Sequence, residues 1–357
     1  MDKSAGHTPP VQPNLLPLPR AVSTAPEVNI GVFLLAPRFP GQDDQTALRR
    51  AVDIAHAAER SGLRDLWIAE HHFMPYGTCP DATALAGYLL GATARIAVGT
   101  AVSVLSTTHP VALAERARLL AVLSRGRFRL GVGRGGPWVD LEVFGSSVDR
   151  YEHGFPETLA VLREALASPT VRGTDRFPFR EVPLVPTPEE PPTVHVACTS
   201  LRSVELAARE HLPMLLGMHM SDDEKRAFVN HYRRHGGPEH ADHISTVVVH
   251  VADSREQAVQ EVMQAAPGWL RDGLRAHVPV DGRQPPTRDP VAYARLLCDL
   301  HPVGDPDYCA RRLAQSAERS GVGHLIAMVE ATGTTAHALR AVACLGTPPG
   351  SDLGKLA

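Results

Sequence analysis

The sequence predicts an α/β fold, a (β/α)8 TIM barrel, on two observations. Eight short apolar runs rich in β-branched residues recur along the chain, and each is followed by a segment of helical periodicity. Near-continuously apolar strands alternating with amphipathic helices imply a parallel sheet covered on its faces, and eight such units imply closure, with the last strand beside the first.

The runs are NIGVFLLA from Asn29, DLWIAE from Asp65, RIAVGTAVSVL from Arg95, RFRLGVGRG from Arg127, TVHVACTS from Thr193, PMLLGMH from Pro213, STVVVHVAD from Ser245 and HLIAMVEATG from His324. The first helix can be capped by Asp43 or Asp44, repeats Leu48, Val52, Ala55 and Ala58 close to the helical period, and closes at Gly62. The third begins at Pro110, a favoured first-turn residue, and stops at Gly126. Residues 1–27, rich in Pro, Ser and Thr without periodicity, read as a tail; 28–345 read as a single barrel and 346–357 as a C-terminal tail. Between residues 268 and 302, Trp269, the Gly/Pro-rich VPVDGRQPPTRDP and a helical stretch around Tyr293 to Leu300 break the rhythm. That segment exceeds an ordinary βα connection and reads as a lid or insertion before the last strand.

With 43% hydrophobic and 21% charged residues and a formal charge of -3, the 357-residue chain has no basic field for nucleic acid or anionic membrane. A small neutral or mildly anionic ligand is the expected partner. The five cysteines follow no C-x-x-C spacing, which argues against a zinc knuckle or disulfide framework and fits a reducing compartment. No signal-like apolar region opens the chain and no stretch approaches a membrane span, so a cytoplasmic protein is expected.

In such a barrel the C-terminal strand ends share one catalytic face. They carry Ala36 and Pro37, then Glu70, His71 and His72, then Ser103 to Thr107, Arg134 with Gly135 and Gly136, Thr199 and Ser200, His219, Asp253, and Glu330. The EHH triplet admits three readings. A metal site is disfavoured because adjacent strand residues point to opposite faces, so His71 and His72 cannot easily share an ion. The histidines could instead satisfy buried backbone groups, or one could act as general acid or base, since imidazole titrates near neutrality.

GVGRGG, Gly131 to Gly136, matches the dinucleotide pattern, but Pro137, Trp138 and a loop follow where a helix should open. Arg134 as a phosphate ligand, with glycines admitting close backbone approach, is the better reading; an ordinary surface arginine is the alternative. CTSLRS offers hydroxyls at Thr199, Ser200 and Ser203 beside a helix start, either a phosphate seat or a plain N-cap. HYRRHGGPEHADH, with two histidines at helical i, i+4 spacing, reads as a solvated face with capacity for adventitious metal binding.

Together these motifs resemble the bacterial luciferase-like flavin-dependent monooxygenases, closest to the luciferase subgroup. GVFLLAP, DLWIAEHHF, THPVALAE, SRGRFRLGVGRG, VFG, HPVGDPDYC and VEATG follow one order between Asn29 and Gly333. The resemblance implies a two-component enzyme. A separate flavin reductase would supply FMNH2, and O2 would form a flavin C4a-peroxide that oxygenates an organic substrate, with specialised metabolism as the expected setting. By matching position His71 is the catalytic histidine, with Glu70 beside it and Glu330 as a carboxylate of the same pocket. Arg134 with Gly135, and Thr199, Ser200 and Ser203, are the flavin-phosphate side, and a non-proline cis peptide joins Ala101 to Val102. No metal is implied. A homodimer through the helices next to the third strand is implied, and the deazaflavin F420 or a non-catalytic flavin-binding subunit stand as alternatives. Two departures are visible: Gly133 replaces the luciferase reactive cysteine, which with Gly136 implies a roomier pocket, and the second phosphate arginine is out of register, with Arg150 nearest.

Overall fold

The structure is a computed structural model that describes residues 28–283 and 289–346. The predicted N-terminal tail, the C-terminal tail from 347 and residues 284–288 of the predicted lid lie outside the described residues.

Eight parallel strands close the barrel: β1 (Asn29–Leu34), β2 (Asp65–Ile68), β3 (Ala97–Thr100), β4 (Phe128–Gly133), β5 (Val194–Cys198), β6 (Met214–Leu216), β7 (Ile244–Val248) and β8 (His324–Met328). As the alternation predicts, β8 pairs with β1, Asn29 lying opposite His324. The third apolar run is not one strand: after Thr100 comes a cis peptide between Ala101 and Val102, and Ser103–Val104 then rejoins the sheet opposite Val132 and Gly133. The seventh run also divides, because His250–Val251 leaves the barrel to pair with Val303–Gly304.

The outer layer comprises α1 (Asp44–Arg60), α2 (Ala82–Ala92), α3 (Pro110–Leu123), α4 (Phe155–Ala167), α5 (Leu201–Arg209), α6 (Asp222–Arg234), α7 (Arg255–Arg275), α8 (Pro290–Leu300), α9 (Pro306–Ser320) and α10 (Thr335–Leu345). Asp43 caps α1 by accepting the Thr46 N–H, and Ala51, Ile54, Ala55 and Ala58 bury one face against the sheet. Helix α7 runs past residue 268, through Pro267, because Ala266, Trp269 and Leu270 are buried on one face, and that packing outweighs local propensity.

The barrel floor is filled. A Cβ on Gly99 would stand 2.7 Å from the Trp67 ring, so the missing side chain makes room for that indole, which is 1% exposed. Removing about 200 Å² of aromatic surface from water contributes roughly 5 kcal/mol. His195 meets the indole edge-on at 5.0 Å, and His324 Nε2 pairs with Asp65 at 3.0 Å.

Candidate functional site

At the C-terminal mouth lies a cavity of about 200 Å³ whose wall includes Phe33, Leu35, His71, Val102, Leu215 and Met218. The chain leaves β2 at Ile68, and the His71 backbone N–H then donates to the Cys79 carbonyl at 2.9 Å, fixing the residue after the strand. Its ring meets Tyr76 edge-on at 5.2 Å, and its Nδ1 is buried without a hydrogen-bond partner. The surface the ring retains faces the cavity rather than bulk water. Burial, with smaller contributions from His277 and His72, therefore pushes its pKa down to about 3, and the imidazole is neutral at pH 7.

His72 points the other way, as alternation requires. Its Nε2 lies 3.5 Å from the Glu70 carboxylate and its ring meets Phe144 edge-on at 4.8 Å, in a separate polar pocket that also holds Ser103, His109 and Arg116. The metal reading of the triplet loses its basis, since the two rings face different pockets.

Two carboxylates predicted for the reacting pocket are engaged elsewhere. Glu330 is 1% exposed and lies outside the cavity wall, because its Oε2 accepts the N–H groups of Leu35 and Ala36 at 2.9 and 3.0 Å and its Oε1 meets Arg50 Nε at 3.3 Å. Burial raises its pKa despite the opposing pull of Arg50. Arg50 donates onward to the Gly333 carbonyl at 2.8 Å, so this pair fastens the end of β8 to α1 and the end of β1. Glu70 accepts the N–H of Ala82 at 3.3 Å and of Val104 at 3.1 Å, tying α2 to the segment just past the cis peptide. Both carboxylates position the mouth instead of facing its cavity.

Across Val102, Ala197 and Thr199, which line both, the cavity adjoins a groove of about 330 Å³, lined by Arg134, Ser200, Arg202, Ser203 and Arg209, with Glu152 as its acid. The Arg134 guanidinium lies 4.3 Å over the Tyr151 ring, which holds it in the groove. Gly135, at φ 79, lets the chain turn there, and a Cβ would stand 2.6 Å from Val104. Ser200 and Ser203 cap α5 reciprocally: Ser200 Oγ accepts the Ser203 N–H, and Ser203 Oγ accepts the N–H groups of Thr199 and Ser200. The hydroxyls and the N-terminal amides are thus gathered at one point, where an anion would compete for them.

Arg150 stays out of register, and the roomier pocket expected from Gly133 and Gly136 needs correcting. Arg150 donates to the carbonyls of Leu105 and Thr108 and lies over Phe177, away from the groove. Gly133 leaves no room, because Val102 fills it: a Cβ there would stand 2.6 Å from Val102 Cγ2. Gly136 is covered by the Trp138 indole. The cations missed from sequence are Arg202 and Arg209; with Ser203 and Leu206 they share one face of α5, a helical spacing the sequence did display.

Helix α7 and the segment after it pack over this end of the barrel. Trp269 on α7 stacks on Tyr76 at 5.0 Å and donates to its carbonyl at 3.0 Å, while the N–H of Val139 meets the Val278 carbonyl and that of Val280 meets the Pro137 carbonyl.

A parallel barrel whose mouth joins an apolar cavity to a cation-lined groove defines an enzyme of the kind that takes a ring carrying an anionic tail. The chain belongs to the luciferase-like monooxygenase family, whose sequence profile matches residues 28–324. It is similar to the alkanal monooxygenase alpha chain of Photorhabdus laumondii subsp. laumondii, 27% identical over 86% of this chain and 92% of that one. It is also 31% identical to the 4-hydroxyprotoasukamycin monooxygenase of Streptomyces nodosus subsp. asukaensis, over 68% of this chain and 69% of the relative. In fold it is similar to a monooxygenase from Streptomyces bottropensis, with a TM-score of 0.76 at 21% identity, covering 89% of this chain and 97% of that one. The chain is accordingly an oxidoreductase, a flavin-dependent monooxygenase in the broad sense of its family. Among the described residues no helix is long and apolar enough to cross a membrane.

Proposed function

We propose that this chain is the oxygenating component of a two-component monooxygenase that takes FMNH2 from a separate reductase and transfers one oxygen atom from O2 to an organic substrate. The observation that carries the proposal is the adjacency of cavity and groove: an apolar chamber with a neutral histidine in its wall shares Val102, Ala197 and Thr199 with a seat of three arginines and two serines. That polarity gradient suits an isoalloxazine ring, a ribityl chain and a phosphate. Bound there, reduced FMN supplies the electrons and the oxygen-reactive ring.

The chain's own residues supply the surroundings. Arg134, Ser200 and Ser203 hold the phosphate by charge-assisted hydrogen bonds. Ala101 and Val102 form the seat between ring and tail, kept in place by the Glu70 carboxylate on Val104. Phe33, Leu35, Leu215 and Met218 exclude water. His71, neutral and desolvated, can give one hydrogen bond and take another without becoming a cation, so it manages a proton at the reacting oxygen. The relative named for 4-hydroxyprotoasukamycin supports placing the substrate in specialised metabolism. Exposed Tyr88 on α2 and Leu119, Val122 and Leu123 on α3 support a homodimer through those helices, and free cysteines support a cytoplasmic setting.

A second reading, F420 in place of FMN, is favoured by Arg209. It lies six residues beyond Ser203, about 9 Å along the helix, and offers a charge to an anionic tail longer than one phosphate. Binding of FMNH2 and reduced F420 should be compared by anaerobic fluorescence titration, followed by mixing with O2 and a substrate panel. Tight FMNH2 binding with oxygen-dependent product supports the first reading; exclusive F420 binding without oxygen consumption overturns it. Arg134→Ala should weaken FMN binding by about 10- to 100-fold, corresponding to a charged hydrogen bond of about 1.5–3 kcal/mol.

A further inference from the structure

Outside the barrel mouth, three ligand-type side chains converge between α5 and α6. Glu205 on α5 faces His231 in the last turn of α6 and His235 at its C-cap. His231 Nε2 lies 3.1 Å and His235 Nε2 3.9 Å from the same oxygen, Glu205 Oε1, and the imidazole rings are 4.1 Å apart. One ligand atom from each residue lies within 4.8 Å of the other two.

The tautomer of His235 sharpens this geometry. Its Nδ1 lies 2.9 Å from the His231 carbonyl, which can only accept, so Nδ1 carries the proton. In the neutral ring Nε2 then presents a bare lone pair toward a carboxylate oxygen. Two acceptors face each other, an arrangement that a cation between them relieves. The backbone contact also orients the ring in the way a hydrogen bond to the far nitrogen orients metal-bound imidazoles.

We propose that Glu205, His231 and His235 bind a divalent transition-metal ion of the Zn2+ type, which links α5 to α6. Ligand atoms 2.0–2.1 Å from a tetrahedral zinc stand about 3.4 Å apart, and the two nitrogen–oxygen separations of 3.1 and 3.9 Å bracket that value. Two imidazoles and one carboxylate suit zinc, cobalt, nickel or copper better than calcium or magnesium. The side chains are 15%, 40% and 34% exposed for His231, His235 and Glu205, so water has access to the remaining position. Because Glu205 follows Ser203 by two residues, the ion anchors the helix whose first turn forms the anion seat.

The test uses the full chain without a histidine tag, stripped of metal, titrated calorimetrically with ZnCl2 near neutral pH and examined with CoCl2 for visible d–d bands. One zinc should bind per chain. The H231A and H235A substitutions should each weaken it by about 10- to 100-fold and remove the cobalt bands, whereas H240A, an exposed histidine of the same region, should leave both unchanged. Circular dichroism of each variant establishes that it is folded. Absence of stoichiometric binding up to about 1 mM zinc, or 1:1 binding unaltered in the H231A/H235A double variant, would overturn the proposal.

Discussion

Two histidines at opposite ends of the barrel have opposite surroundings. His324, on the floor, is held by Asp65 at 3.0 Å, with Asp242 3.8 Å from its Nδ1; burial alone would depress its pKa, but these two carboxylates outweigh it and raise the value. His71, at the mouth, has no carboxylate partner, a buried Nδ1 without a hydrogen bond and a pKa near 3. A histidine paired with a carboxylate contributes to specifying the fold, whereas one that faces a cavity without a carboxylate partner marks a place where stability is ceded to chemistry.

The largest expected difference is in turnover. His71→Asn should lower it by about 10²- to 10⁴-fold, the usual range for a lost general acid or base, while the urea midpoint stays level or rises. Unchanged turnover would return His71 to a packing role. Next in size, Asp65→Ala removes the 3.0 Å partner of buried His324 and leaves only Asp242 at 3.8 Å, and should cost about 3–5 kcal/mol in urea unfolding, with turnover per folded molecule kept within about twofold. A stable Asp65→Ala protein with lost activity would reverse the assignment of floor and mouth.

The smallest effect is a pH slope. His71 has its folded pKa depressed below the unfolded value, so its contribution is complete above about pH 6.5 and is lost as pH falls toward 3, at about 1.4 kcal/mol per pH unit. His195, depressed by burial to about 4, acts in the same direction. His324 acts oppositely: its contribution is present below the unfolded pKa and is lost as pH rises through the raised folded value. Between pH 4 and 6, His71→Asn should therefore lose less stability on acidification than the native chain, as chemical denaturation at a series of pH values will register; parallel curves would mean that His71 is already solvated.

Periodicity carried the barrel, because strand and helix spacing are local properties and the eight apolar runs keep their order in the structure. Alternation along a strand likewise separated His71 from His72. What could not be read were contacts made through space. The Glu330 carboxylate meets the N–H of Leu35 across 295 positions, and Val102 fills the space beside Gly133, so a carboxylate seemed catalytic and a glycine seemed roomy. Arg202 and Arg209 were legible in principle, since their spacing on α5 is helical.

The pair between Arg50 and Glu330 also sets a timetable for synthesis. Arg50 is translated long before Glu330, and until that carboxylate emerges from the ribosome the guanidinium lacks its ion-pair partner and the N–H groups of Leu35 and Ala36 lack their acceptor. The earlier βα units can condense on one another during translation, but the first strand keeps an open edge until β8 arrives. Until β8 emerges the nascent chain is thus an unclosed sheet, and the arrival of that one strand decides when it ceases to be one.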